Sequence, residues 1–375
     1  MAETRKFPHH LIREIFEQPE GLRRTIEPRV SLETGSVRLE DVRIAPEELR
    51  AVQRINIVAS GTSRHAGMAG QSMIQELAGV PVDVDYASEF EYRNPLIGKC
   101  EVSIFITQSG ETADTTGALR EARKRGSRTI AISNVVGSTI AREADGVIYT
   151  HAGPEISIAS TKAFTAQMVC LFLFAMQLGQ IKEKLSQAVS KRYIGDLLAL
   201  PGQTETVLAA ADQVDKLAEL YYRVDDFMFL GRAIHYPIAM DGALKLKEIS
   251  YIHAEGYPTG EAKHGPNALI DYRLPLVMIA THDSDDPGSQ LRYDKNVSNM
   301  EGFKNQGGTV IALATEGDAK IPQIADHTFF VPRAPELLSP ILEIVPLQLF
   351  AYYVAAKRGL DVDRPRNLVK AVTRE

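Results

Sequence analysis

Residues 102–120 read "VSIFITQSGETADTTGALR". The first six form an apolar, β-branched and aromatic run of strand length. It spills into hydroxyls and a glycine, and a helix-length segment follows at once. A buried strand that feeds a helix through a short polar loop is the unit of a parallel sheet covered by helices. The stretch therefore sets an α/β reading for the whole chain and raises a chemical question: what is a loop of Thr107, Gln108, Ser109, Gly110, Glu111 and Thr112 built to hold?

The same unit recurs on either side. Strand-like runs "INIVAS" (55–60), "VDVDYA" (82–87), "RTIAIS" (128–133) and "GVIYT" (146–150) complete a first series. A second series follows in similar order and spacing: "DFMFLG" (226–231), "LPLVMIA" (274–280), "GTVIAL" (308–313) and "HTFFV" (327–331). Even the residues ahead of the last strand agree, "EADGVIYT" against "IADHTFFV". Duplication of one α/β unit of about 150 residues is expected. We place a helical arm over 1–40, interrupted by Pro19, a first domain over 41–200, a second over 201–362 and a tail over 363–375. Helical 161–180 and the Leu- and Ala-rich stretch to about 222 link the two domains, punctuated by Pro201-Gly202.

Composition narrows the function. The 375 residues are 44% hydrophobic and 24% charged with a formal net charge of -6, an ordinary globular balance. No concentrated basic face is present for a phosphate backbone, so nucleic acid is not an expected partner. No apolar run reaches the length of a membrane span, and the first ten residues lack a signal-peptide core. Cys100 and Cys170 do not form a CxxC pair and read as buried free thiols, which fits a reducing, cytoplasmic setting.

In open α/β sheets, ligands gather beyond the carboxyl ends of the strands, and anions sit where a helix begins with unpaired N–H groups. Gly110 lets the backbone approach such a ligand, while Thr107, Ser109 and Thr112 offer hydroxyls. Simple capping of the helix by Ser109, Thr112 and Glu111 is the competing reading. Two further polar helix starts, Ser60-Gly61-Thr62-Ser63 and Ala159-Ser160-Thr161-Lys162, are expected to converge with the first on one crevice and favour a ligand pocket. Neither GxxxxGK[ST] nor GxGxxG occurs, which disfavours a nucleotide.

Residues that could act on a ligand lie later. "GALKLKEISYIHAEG" (242–256) reads as a helix with Lys245 and Glu248 on one face. A surface ion pair is the ordinary fate of that spacing. Leu244, Tyr251 and Ile252 on the same face would instead partly desolvate Glu248 and strengthen it as a base. His264 lies in the glycine-bounded "GEAKHGP", where loop histidines are mostly solvated. Lys370, in "NLVKAVTRE", reads as a tail lysine unless the tail folds over the pocket and delivers an amine to a carbonyl. No HExxH, CxxC or i,i+4 histidine pair points to a metal, and no cofactor is expected.

At these residues the chain resembles the isomerase half of the glucosamine-6-phosphate synthase family. The matching segments are "GTSRHAGM", "ELAGVPVDVDYASEFEYR", "QSGETADT", "EISIASTKAFTAQ", "DVDRPRNLVKAVTRE" and the long block from Phe229 to Asp271. The resemblance implies two tandem sugar-isomerase (SIS) domains, each a flavodoxin-like parallel five-stranded sheet flanked by helices. It implies that Ser63, Gln108, Ser109 and Thr112 hold a sugar phosphate, with Thr62 and Ser160 on its hydroxyls. Thr107 stands where the family often has serine and keeps the hydroxyl. Glu248 would carry the proton between C1 and C2, Lys245 would be its electrostatic partner and His264 the ring-opening group. Lys370 would form an imine with the open ketose.

The resemblance further implies a homodimer in which His264 reaches the neighbouring site. The family's N-terminal glutaminase carries a cysteine after Met1, and residue 2 here is alanine, so the sequence is expected to be one subunit or a fragment of a glutamine-dependent enzyme, or to work without that domain. Glutamine hydrolysis is not expected of this chain alone, and a separate glutaminase subunit is a candidate partner. The expected activity interconverts fructose 6-phosphate with glucosamine 6-phosphate or glucose 6-phosphate. Running as a glucosamine-6-phosphate deaminase with free ammonia, or serving as a non-catalytic sugar-phosphate sensor, are the alternatives.

Overall fold

The computed structural model describes residues 7–373; the readings made on the first six residues, Ala2 among them, and on Arg374 and Glu375 lie outside it. The arm forms α1 (His10–Phe16) and α2 (Gln18–Ile26), followed by a small hairpin, β1 (Val30–Ser31) and β2 (Ser36–Val37), and by α3 (Pro46–Arg50). Pro19 falls in the first turn of α2, where its missing N–H would have had no helical partner, so it opens a helix rather than breaking one.

The first sheet alternates strictly: β3 (Arg54–Ala59), α4 (Gly61–Ala78), β4 (Val82–Tyr86), α5 (Ala87–Phe90), β5 (Glu101–Thr107), α6 (Ala113–Lys124), β6 (Arg128–Ser133), α7 (Thr139–Glu143), β7 (Gly146–Tyr149) and α8 (Lys162–Ile181). Its five strands lie in the order β4-β3-β5-β6-β7, all parallel. Val58, Phe105, Ala118, Leu119, Ala131 and Ile140 fill one face. On α4, a Cβ at Gly70 would lie 2.8 Å from Leu171 Cδ1 of α8, so a larger residue there would make that side chain shift.

Two helices follow, α9 (Gln187–Ala209) and α10 (Ala211–Tyr221). The Pro201-Gly202 pair expected to punctuate the link sits inside α9 instead. Burial of Leu197 and Leu200 just before the proline offsets the lost backbone hydrogen bond. The second sheet is built from β8 (Asp226–Gly231), α11 (Tyr236–Ser250), β9 (His253–Pro258), β10 (Pro275–Ala280), α12 (Pro287–Asn305), β11 (Thr309–Thr315), β12 (His327–Val331) and α13 (Ser339–Lys357). Its order, β12-β11-β10-β8-β9, repeats the first with parallel pairing throughout.

One strand departs from the sequence reading. The helix expected to run to residue 256 stops at Ser250, where Tyr251 turns left-handed at φ 60°. Residues 253–258 then pair with β8 as β9. An edge strand with a largely half-buried pattern carries no clear period of two, so the sequence does not distinguish it from the helix before it.

The chain divides into two compact units. One holds the first sheet, with Glu20–Glu155, Lys162–Pro201 and Ala371–Glu375; the other holds the second sheet, with Met1–Pro19, Ile156–Thr161 and Gly202–Lys370. Two helices, α8 and α13, are long and apolar enough to cross a membrane, yet 83% and 89% of their most apolar windows are buried inside the protein. Core burial accounts for their composition. Cys170 is buried, and burial pushes its thiol up to about 11; Cys100 is exposed, contrary to the expectation of two buried thiols, because it follows the solvent-facing 91–99 loop.

Candidate functional site

In the first sheet the connections leave β3 and β5 in opposite directions, β3 toward β4 and β5 toward β6. Right-handed crossovers then put α4 and α6 on opposite faces, and the place between the carboxyl ends of β3 and β5 is the switch point where ligands bind in such sheets. Both polar loops of this sheet sit there. Ser60 precedes α4, with Thr62 buried and Ser63 half-buried in its first turn; Thr107 through Thr112 precede α6. Neither helix has a side-chain cap.

The loop's side chains are occupied with one another. Thr107 and Thr112 share a hydroxyl hydrogen bond of 2.9 Å. The Gly110 N–H donates to Thr107 Oγ1 at 3.3 Å, and the Glu111 N–H to Ser109 Oγ at 3.2 Å. Gln108, half-buried, holds the neighbouring loop by accepting the Asn134 N–H on its carbonyl at 3.1 Å. Glu111, suggested as a dipole partner for α6, serves α7. Its carboxylate accepts the Thr139 N–H at 2.8 Å and hydroxyl at 2.7 Å, and these bonds hold its pKa below the usual value. The hydroxyls of Ser109 and Thr112 are therefore not spent on capping α6.

Gln167 of α8 was missed by the sequence reading. It is buried, and its Nε2 donates to Ser63 Oγ at 3.1 Å, which orients the hydroxyl at the start of α4. A glutamine inside the apolar run of α8 is the signal that could have found it. Of the three polar helix starts expected on one sheet, two flank the switch point. The third precedes α8: half-buried Ser160 lies in the segment Ile156–Thr161, which groups with the second-sheet unit, while α8 itself groups with the first.

The equivalent position in the second sheet is filled by an ionic network. His235, buried at the start of α11, faces Glu343 at 2.9 Å through Nδ1 and Glu336 at 3.2 Å through Nε2. Glu343 also accepts the Thr281 hydroxyl at 2.5 Å, and Glu336 is held by Arg292, which reaches Asp286 at 3.2 Å. Burial opposes a charge on His235, but Glu343 and Glu336 outweigh it and push its pKa up to about 10. Glu336 is likewise opposed by burial, yet His235 and Arg292 hold it down to about 2. Acidic groups rather than hydroxyl loops occupy this crevice, which is unsuited to an anion.

The residues suggested for chemistry lie in the same unit. Lys245 is buried on α11, with 2% of its side chain exposed, and pairs with Glu248, whose side chain keeps 22%. Tyr251 and Ile252 do not share the helical face with Glu248, because the helix has ended. His264 closes a short turn, Glu261–His264, and is exposed. Lys370 sits half-buried in a segment without helix or strand, where its Nζ donates to the Ser157 carbonyl at 2.7 Å.

Comparison with known proteins agrees with this architecture. A family model for the SIS domain matches residues 48–177 and 220–358. Glutamine–fructose-6-phosphate aminotransferase (isomerizing) of Chlorobaculum tepidum is 47% identical over 98% of this chain and 59% of its own length. The protein of the same name from Symbiobacterium thermophilum is 46% identical over the whole chain and 60% of its own length. The chain thus spans about 60% of the curated relatives it matches. Among solved structures, the C-terminal domain of glucosamine-fructose-6-phosphate aminotransferase from Francisella tularensis superposes with a TM-score of 0.89 at 36% identity, covering 97% of this chain and 100% of that one. With two matched segments, each on its own five-stranded parallel sheet, the chain belongs to the SIS domain family.

Proposed function

We propose that the chain is a phosphosugar isomerase that interconverts fructose 6-phosphate with glucosamine 6-phosphate, or with glucose 6-phosphate when no ammonia is supplied. The observation that carries this reading is the pairing of a partly open Glu248 with a buried Lys245 on α11. A carboxylate on a partly exposed side chain beside a fixed cation is suited to taking a proton from a carbon acid and returning it. The names of the relatives support the substrate.

In this reading Ser63, Thr107, Gln108, Ser109 and Thr112 bind the phosphate through neutral donors, while Thr62 and Ser160 orient the sugar hydroxyls. His264 opens the ring. The amine of Lys370 attacks the C2 carbonyl, and its oxygen leaves as water to give an imine. Ammonia displaces the lysine amine, and Glu248 moves a proton from C1 to C2, leaving an amino group on C2 and an aldehyde at C1. In this reading the chain is a homodimer in which the exposed His264 serves the neighbouring copy. A separate glutaminase would be one source of ammonia.

Purified protein incubated with fructose 6-phosphate, with and without ammonium, is expected to yield glucosamine 6-phosphate and glucose 6-phosphate respectively, read by NMR. No aldose in either incubation would remove the proposal.

A further inference from the structure

We infer that Glu14, on the N-terminal arm, is a positioning residue for Lys370 that acts through the backbone of Ser157; this rests on the reading of Lys370 as the imine-forming amine. Glu14 is fully buried on α1. Its carboxylate accepts the Ile156 N–H at 2.5 Å, the Ser157 N–H at 3.3 Å and the Ser157 hydroxyl. A carboxylate is kept out of water only where donors compensate its lost hydration, and this loop supplies three of them.

The next peptide, between Ser157 and Ile158, is held at both ends. Its N–H donates to the Asp363 carbonyl at 3.0 Å, and its oxygen accepts Lys370 Nζ at 2.7 Å. The Asp363 carboxylate in turn accepts the N–H groups of His10 at 2.9 Å and Leu11 at 2.8 Å. Those belong to the first turn of α1, where N–H groups lack helical partners and negative charge is favoured. One short helix thus grips the 156–158 loop through Glu14 and the C-terminal segment through its own N-terminus. The two meet at the carbonyl on which the lysine amine rests.

A lysine on a segment without regular structure has many rotamers to lose when it is held. The fixed Ser157 carbonyl gives its amine a defined starting position. To form the imine, the amine leaves that carbonyl, gives up a proton and attacks the ketose carbon as water departs. By holding that carbonyl, Glu14 sets where the attack begins.

The test compares wild type, Glu14→Gln and Ser157→Ala with fructose 6-phosphate and ammonium. Steady-state rates are measured alongside borohydride trapping of the Lys370 imine, read by peptide mass, and thermal melting controls for folded protein. Glu14→Gln is expected to lower kcat and the trapping rate together by about fivefold or more, with KM changed less than about twofold. Ser157→Ala removes only the hydroxyl contact and should give a smaller loss of the same kind, which keeps the test open where Glu14→Gln does not fold. Wild-type kcat and trapping in Ser157→Ala and in any folded Glu14→Gln would overturn the inference, as would a loss confined to KM. Undiminished turnover in Lys370→Ala, with no trapping in wild type, would instead remove the imine reading itself.

Discussion

Gly110 shows how narrowly the hydroxyl loop is specified. Its φ is 71°, and a Cβ there would press into the Ser138 side chain and come within 2.9 Å of Ser133 Oγ. Gly110→Ala is expected to lose about 1–2 kcal/mol for the left-handed backbone alone, with a further clash term, and to lower the melting temperature. Removing a single donor to a charged ligand has a cleaner signature. Ser109→Ala is expected to raise KM for fructose 6-phosphate roughly tenfold with little change in kcat, since such a bond contributes about 1.5–3 kcal/mol. Glu248→Gln should do the reverse, lowering kcat about 100-fold or more at nearly constant KM. A Glu248→Gln protein that turned over at the wild-type rate would exclude the carboxylate from the proton transfer.

Among the elements, α11 carries most of the proposed chemistry, and its two ends are made differently. The far end bears Lys245 and Glu248 and stops at Tyr251, whose hydroxyl accepts the Arg366 N–H at 2.8 Å and so ties down the segment leading to Lys370. The near end is fastened by His235 between Glu343 of α13 and Glu336. Removing one member of a buried ionic cluster leaves its partners uncompensated. His235→Gln is therefore expected to destabilise the fold by about 3–5 kcal/mol, read by chemical denaturation. The existence of α11 was legible from its composition, but its end was not. Tyr251 is an ordinary helix residue by propensity, and the left-handed turn is imposed by the pairing of β9 with β8.

For the whole molecule, the same ionic cluster makes stability depend on pH in two directions. The folded pKa of His235 is raised from 6.5 to about 10, so its contribution is complete below 6.5 and is lost as pH rises through 10. That of Glu336 is lowered from 4.5 to about 2, so its contribution is present above 4.5 and is lost as pH falls toward 2. Denaturation midpoints should be highest at mildly acidic pH, between these limits. His235→Gln should flatten the alkaline limb; an unchanged alkaline limb would show that His235 does not carry the charge. The two sheets share one strand order but not one chemistry, because neutral hydroxyl loops stand at the first switch point and acidic groups at the second.

By itself the sequence determined the fold class, the duplication, nine of the ten strands in the two parallel sheets and the polar loops, because apolar runs, turn glycines and hydroxyl clusters are local in the chain. It could not supply β9, the continuity of α9 through Pro201 or the ionic cluster of His235, Glu336 and Glu343. Nor could it show that Gln167 orients Ser63, or that Glu14 and Lys370 meet at Ser157 from opposite ends of the chain. Each of these depends on partners more than a hundred residues apart, or on packing that overrides local preference. Burial makes the pairing obligatory, since a polar group withdrawn from water must find its partner wherever the fold brings one.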